Sequence, residues 1–148
     1  MYASTTVAQL LRSKGSETYS VAPNDTVLRA LEAMAEHDVG ALLVREGGTL
    51  VGVISERDYA RKVILAGRAS RDTLVRDVMS TEVVTVAPEA SLTECMRTMT
   101  DRRIRHLPVV ASDGALRGVV SVGDVVKATI DEQATLIEQL ESYIRSGV

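Results

Sequence analysis

Residues 21–44, VAPNDTVLRALEAMAEHDVGALLV, return 65 positions later as VAPEASLTECMRTMTDRRIRHLPV, residues 86–109. The match continues at an offset of 66, GTLVGVISERD (48–58) against GALRGVVSVGD (114–124), after one inserted residue in a turn. Upstream, VAQLL (7–11) resembles VRDVM (75–79). No other feature limits the fold as strongly. A unit of about 60 residues has too little core to stand alone, whereas two packed copies bury the surface that each leaves open. The 148 residues therefore predict two repeats, 7–66 and 75–130, related by pseudo-twofold symmetry, and a tail over 131–146.

Each repeat reads as β-α-β-β-α, which places the chain in the mixed α/β (α+β) class. A short strand (18–21, 83–86) ends at Ala-Pro, because proline removes a ladder donor. A helix follows, with apolar residues at helical spacing: Val27, Leu31 and Met34, then Leu92, Met96 and Met99. Ser91 and Glu94 predict a capping box at the second of these helices. Two apolar strands come next, 41–44 with 50–54 and 107–110 with 116–120, joined by the turn sequences EGGT and ASDG. A last helix is expected to start at each Ser-x-x-Asp.

Composition narrows the function. Apolar residues make up 45%, with no Phe or Trp, so the core is aliphatic. A formal charge of −3 supplies no basic field for a nucleic-acid backbone. Cys95 is the only cysteine, so there is no intrachain disulfide. No apolar run approaches the roughly 20 residues that span a bilayer. MYASTTVAQLLRSKG lacks the basic start and long apolar stretch of a signal peptide. A soluble cytoplasmic protein is expected.

The two Gly-x-x-Ser-x-x-Asp segments are GVISERD (52–58) and GVVSVGD (118–124). Serine with an acid three residues on is an ordinary helix N-cap. Here it follows an apolar strand both times, at the edge where ligands collect in α/β proteins. The acid is Asp both times, where a reciprocal box prefers Glu or Gln. A short carboxylate fixed there can accept two hydroxyls, as a ribose offers. Capping and ribose binding are compatible.

The ordered pair of V-x-P openings, the GALLV and RHLPV strands, the VRDVMS linker and both Ser-x-x-Asp segments resemble a tandem of CBS domains, over residues 7 to about 130. The resemblance implies clefts between the repeats that bind adenosine compounds: AMP, ADP, ATP, NAD(H) or S-adenosylmethionine. It assigns Ser55, Asp58, Ser121 and Asp124 to the ribose. It lines the adenine with backbone around Thr18 and Tyr19 and around Ser80, Thr81 and Val83. It also implies a regulatory module, without catalytic residues, serving a partner the sequence does not name.

A phosphate beside Asp58 or Asp124 needs its own cations. Arg105 and His106 stand where related nucleotide sensors contact phosphate, whereas Gly40 and Ala41 are the aligned residues of the first repeat. Those two would give close, uncharged walls, leaving Arg57 and Lys62 as the nearest cations. The two clefts are expected to be unequal. Arg102 and Arg103 read as a solvated helix end.

Cys95 lies beside an apolar stripe and reads as a packed thiol. His37, His106 and one cysteine give no metal-ligand spacing, and no GxSxG, P-loop or GxGxxG occurs. In the tail, Ile130, Ala134, Ile137, Leu140 and Ile144 recur at steps of three and four, an amphipathic helix suited to a homodimer. Two readings stay open: an adenine-nucleotide sensor, and an oligomerising scaffold with no ligand.

Overall fold

The computed structural model describes residues 5–147; residues 1–4, part of the segment read against a signal peptide, lie outside them. In chain order the elements are α1 (Val7–Lys14), β1 (Ser20–Val21), α2 (Val27–His37), β2 (Ala41–Glu46), β3 (Thr49–Ser55) and α3 (Glu56–Tyr59). After a π-helical turn, Ala60–Ile64, and a 3-10 turn, Val75–Asp77, come α4 (Leu92–Arg102), β4 (His106–Val110), β5 (Leu116–Ser121) and α5 (Val122–Ser146). The mixed α/β class holds. The chain falls into two compact units, Thr18–Val83 on one side and Met1–Glu17 with Val84–Val148 on the other. Hence α1, from the first sequence repeat, stands in the 84–148 unit, and the VRDVM segment stands in the 18–83 unit.

In the 18–83 unit, β1 runs parallel to β2 and β2 antiparallel to β3. Val27, Ala30 and Met34 of α2 pack on Leu42, Val44 and Ile54, with Val75 and Val78 closing the cluster. In the 84–148 unit, β4 pairs antiparallel with β5. Leu92, Cys95 and Met99 of α4 share a core with Leu107, Val109, Val120 and Val125, and with Val7, Leu10 and Leu11 of α1. Helix ends repeat the symmetry. Thr26 and Ser91 cap α2 and α4, and Asp38 and Arg103 stop them in the left-handed region at φ 52° and 55°. Ser91 accepts the Glu94 amide, the serine half of the predicted capping box.

The expected strand over 83–86 reduces to one parallel bridge, Val86 with Val109. Proline is the reason. In the first sheet the Leu43 amide donates to the Tyr19 carbonyl at 3.1 Å. The aligned residue in β4 is Pro108, which has no amide to donate. The bonds from Val86 to the Pro108 carbonyl (3.0 Å) and from Val110 to the Val86 carbonyl (2.9 Å) remain. The helices after the two Ser-x-x-Asp segments also differ. The first gives four α-helical residues and then the π turn. The second runs unbroken for 25 residues through the tail.

The glycine that opens each GVxS segment is dictated by close packing. A Cβ on Gly52 would stand 2.8 Å from the Met79 sulfur and 2.9 Å from the Ser80 carbonyl. The nearest atoms to a Cβ on Gly118 would be those of the Leu11 side chain, a methyl first at 2.9 Å. Leu11 and Met79 are the aligned ends of VAQLL and VRDVM. A leucine tip can turn aside, but the Ser80 carbonyl is fixed by the Val53 amide at 3.0 Å. Gly52→Ala should therefore destabilise by roughly 1–3 kcal/mol, and Gly118→Ala by less. Urea midpoints compared at equal m-value check this; the reverse order would refute it.

Candidate functional site

Both Ser-x-x-Asp segments sit at a strand end and begin a helix. The Ser55 hydroxyl accepts the Asp58 amide at 3.2 Å, and Asp58 Oδ2 accepts the Ser55 amide at 2.9 Å and its hydroxyl at 3.0 Å. Ser121 Oγ accepts the Asp124 amide at 3.1 Å, and Asp124 Oδ2 accepts the Ser121 amide at 2.8 Å. Each is a complete capping box. The general preference for Glu or Gln at this position does not keep aspartate from closing the box here. The carboxylate has to reach only the amide at the strand's last residue, which the extended serine backbone turns toward it.

Each carboxylate also meets an ammonium. Lys62, one turn along, lies 3.2 Å from Asp58 Oδ1 and donates to the Val78 carbonyl at 2.9 Å. Both oxygens of Asp58 are thus engaged. Lys14 of α1 reaches Asp124 Oδ2 at 2.5 Å and the Val119 carbonyl at 2.9 Å. Among the described residues those contacts leave Asp124 Oδ1 to a further donor. Burial pushes the Asp124 carboxyl up, but the Lys14 ammonium and the Ser121 amide outweigh it and hold the group below its ordinary value.

The sheet register brings the predicted phosphate residues to the second segment. His106 is the cross-strand partner of Ser121, and the Arg105 carbonyl accepts the Val122 amide at 2.8 Å. The Arg105 side chain is exposed and His106 half-buried. In the other unit Ala41 pairs with Ser55, and the Gly40 carbonyl accepts the Glu56 amide at 3.0 Å. Arg57 is exposed in the first turn of α3. A groove of ≈ 540 Å³ runs beside Asp124, lined by Lys14, Ser13, Lys127 and Asp131 among others; Arg105 and His106 are not in its lining.

The proposed adenine segments carry different duties. Thr18, Tyr19, Ser80, Thr81 and Val83 all belong to the 18–83 unit, with Ser55 and Asp58. The Tyr19 ring stacks on His37, centroids 3.8 Å apart and 13° from parallel. Ser80 exchanges both backbone bonds with Val53. Lys14 was not legible as a site residue, because the position aligned with it in VRDVMSTE is Glu82. The Cys95 thiol is buried and pushed up to about 11 by desolvation and the nearby Glu94 carboxylate, which suits packing and not nucleophilic attack. Among the described residues no cluster of three or more His, Cys, Asp or Glu could hold a metal. No helix there is long and apolar enough to cross a membrane.

Two hairpin units, each ending in a helix capped by Ser-x-x-Asp, define a tandem β-α-β-β-α repeat protein. The CBS domain signature matches residues 15–64 and 75–131, and the chain belongs to that family. It is 41% identical over 155 aligned positions to the CBS domain-containing protein CBSX3, mitochondrial, of Arabidopsis thaliana, covering 99% of this chain and 75% of that one. A solved signal-transduction protein with CBS domains from Burkholderia ambifaria is 48% identical, with TM-score 0.84 over 87% of this chain and 96% of its own. The CBS domain pair of MJ0100, solved with methylthioadenosine and S-adenosylmethionine, shares the fold at TM-score 0.75 and 21% identity, over 88% and 99% of the two chains.

Proposed function

We propose that the protein is a regulatory CBS-domain pair that binds an adenine nucleotide, AMP, ADP, ATP or NAD(H), at its Ser-x-x-Asp segments and signals to a partner protein as a homodimer. The observation that carries this reading is Asp124. Its carboxylate is held ionised and oriented by Ser121 and Lys14, with Oδ1 open, beside Arg105 and His106 at the same strand end. Two ribose hydroxyls need an ionised, fixed acceptor, and a phosphate needs cations nearby. The likeness to MJ0100 extends to the fold, so S-adenosylmethionine remains one ligand among those to be tried. A cytoplasmic location goes with the reading; CBSX3, by its name, is mitochondrial.

The two segments are unequal in this proposal. Asp58 would have to release Lys62 to accept a ribose, whereas Asp124 has an oxygen available. A second reading, a scaffold without ligand, draws on the completeness of both capping boxes, since capping and the Lys62 ion pair together engage both oxygens of Asp58. Calorimetry with AMP, ATP, NAD and S-adenosylmethionine, at protein concentrations well above micromolar, separates the two. Binding should also raise unfolding stability by about 2.7 kcal/mol at 100 times Kd. No heat with any ligand, and no nucleotide released from freshly purified protein on denaturation, would favour the scaffold.

A further inference from the structure

The two aspartates differ in how much of each carboxylate is already taken. A carboxylate accepts at about four lone-pair positions, two on each oxygen. Asp58 Oδ2 accepts the Ser55 amide at 2.9 Å and its hydroxyl at 3.0 Å, and Oδ1 takes the Lys62 ammonium at 3.2 Å. Three donors thus stand on Asp58, which leaves it one position. Asp124 Oδ2 accepts the Ser121 amide at 2.8 Å and the Lys14 ammonium at 2.5 Å. Among the described residues no donor reaches Asp124 Oδ1, which leaves two adjoining positions on one atom. The difference traces to one aligned pair. Continuing the offset of 66 sets Lys62 against Ala128, each four residues after its aspartate and one helical turn on. Lys62 is held in place by the Val78 carbonyl at 2.9 Å, over a carboxylate only 15% exposed. Ala128 has no charge to offer, and it lines the groove of ≈ 540 Å³ beside Asp124. The ammonium on Asp124 comes from α1 instead and shares Oδ2 with the cap, so it neutralises the carboxylate without using Oδ1.

We propose that positions 62 and 128 decide which Ser-x-x-Asp segment takes the vicinal hydroxyls of a ribonucleoside. Lys62 closes Asp58 to a diol, and Ala128 keeps Asp124 open to one. Resting on the nucleotide reading, this narrows it to one ribose per chain. A vicinal diol donates twice. Asp124 Oδ1 can accept both hydroxyls, whereas Asp58 can accept a single one unless Lys62 withdraws. A surface lysine alone is a weak partner. Lys62, however, is already in place and shared between two acceptors, so a ligand gains only what its hydroxyl adds over the ammonium. A hydrogen bond to a charged acceptor is worth about tenfold or more in affinity. Where both hydroxyls are accepted, ribose is therefore preferred over deoxyribose. Where one position remains, the second hydroxyl contributes nothing and that preference vanishes.

Calorimetric titration of the full chain with AMP and with 2′-deoxy-AMP tests this. The parent should bind one AMP per chain, and 2′-deoxy-AMP about tenfold more weakly or worse. Lys62→Ala should add a second AMP per chain with the same preference for ribose. Ala128→Lys should weaken AMP at the Asp124 segment about tenfold or more and bring the two ligands level. With both substitutions one site should remain, now lost with Asp58→Ala and indifferent to Asp124→Ala. The ratio of AMP to 2′-deoxy-AMP affinity separates this from mere damage, since lost packing or a frayed helix would weaken both ligands alike. Two AMP per chain in the parent would overturn the proposal and leave the nucleotide reading standing. So would a single AMP per chain in Lys62→Ala, or an Ala128→Lys protein that keeps its preference for ribose. No AMP bound by the parent or by Lys62→Ala would defeat both.

Discussion

Asp124→Ala is expected to weaken adenosine and AMP alike, by about 10- to 150-fold, the equivalent of roughly 1.5–3 kcal/mol for hydrogen bonds to a charged group. The equality is the informative part, because both ligands offer the same ribose. Alanine also removes the acid half of the α5 capping box, so Asp124→Asn is the companion variant. Its amide oxygen can still accept the Ser121 N–H, but it lacks the charge that holds Lys14 and orders two hydroxyls. Binding should fall with both variants and helix stability mainly with alanine. Acid provides a further check. Lys14 and Ser121 depress the Asp124 carboxyl in the folded protein, so the unfolded chain takes up this proton first as pH falls. The stabilisation is complete above the ordinary carboxylate range, about pH 4 to 5, and is lost as pH drops through the lowered value. Urea midpoints of the parent and Asp124→Asn should converge below about pH 4 and separate above it. Unequal losses for adenosine and AMP would remove Asp124 from the ribose.

Arg105→Ala should instead split the two ligands. AMP should lose about tenfold or more, and adenosine little, because a guanidinium bonds phosphate oxygens through charge-assisted contacts that the nucleoside lacks. Arg105 is exposed, so the lost part should shrink as salt rises and the Debye length contracts below about 10 Å. Titrating each variant with both ligands at two salt concentrations reads all of this. Equal losses would return Arg105 to an ordinary solvated residue immediately before β4. They would also direct attention to Lys14 and Lys127, the cations that line the groove beside Asp124.

The repeat made most of the fold legible. Offsets of 65 and 66 placed α2 on α4 and the two hairpins on each other, and the left-handed stops at Asp38 and Arg103 follow the same offset. What broke the symmetry was harder to see. Pro108 removes one amide, and with it the strand over 83–86, because a ladder depends on a donor that the aligned Leu43 supplies. The site was legible as far as its motif. Ser55, Asp58, Ser121 and Asp124 stand where strand gives way to helix, whereas the pairing of Ser121 with His106 comes from the hairpin register, which the sequence alone does not place. The ammonium on Asp124 was not legible, because Lys14 is distant in sequence and its aligned counterpart is acidic. Nor was the closure of both capping boxes by aspartate, since residue preferences for helix starts average over many serine backbones and this one is extended.

The placement of α1 has a consequence for how the chain can fold. Val7 donates to the Ala90 carbonyl, Leu11 packs on Gly118 and Lys14 pairs with Asp124, so the first helix closes a core whose other walls are encoded about 80 to 110 positions later. Such contacts require long loops to close before they are rewarded, which slows folding. During synthesis the 18–83 unit can form as soon as its last segment emerges, while α1 waits for nearly the whole chain. Two repeats that look like beads on a string are, as folding units, nested: the second encloses the first in sequence, and cutting the chain between 66 and 75 would leave neither half with its own missing piece.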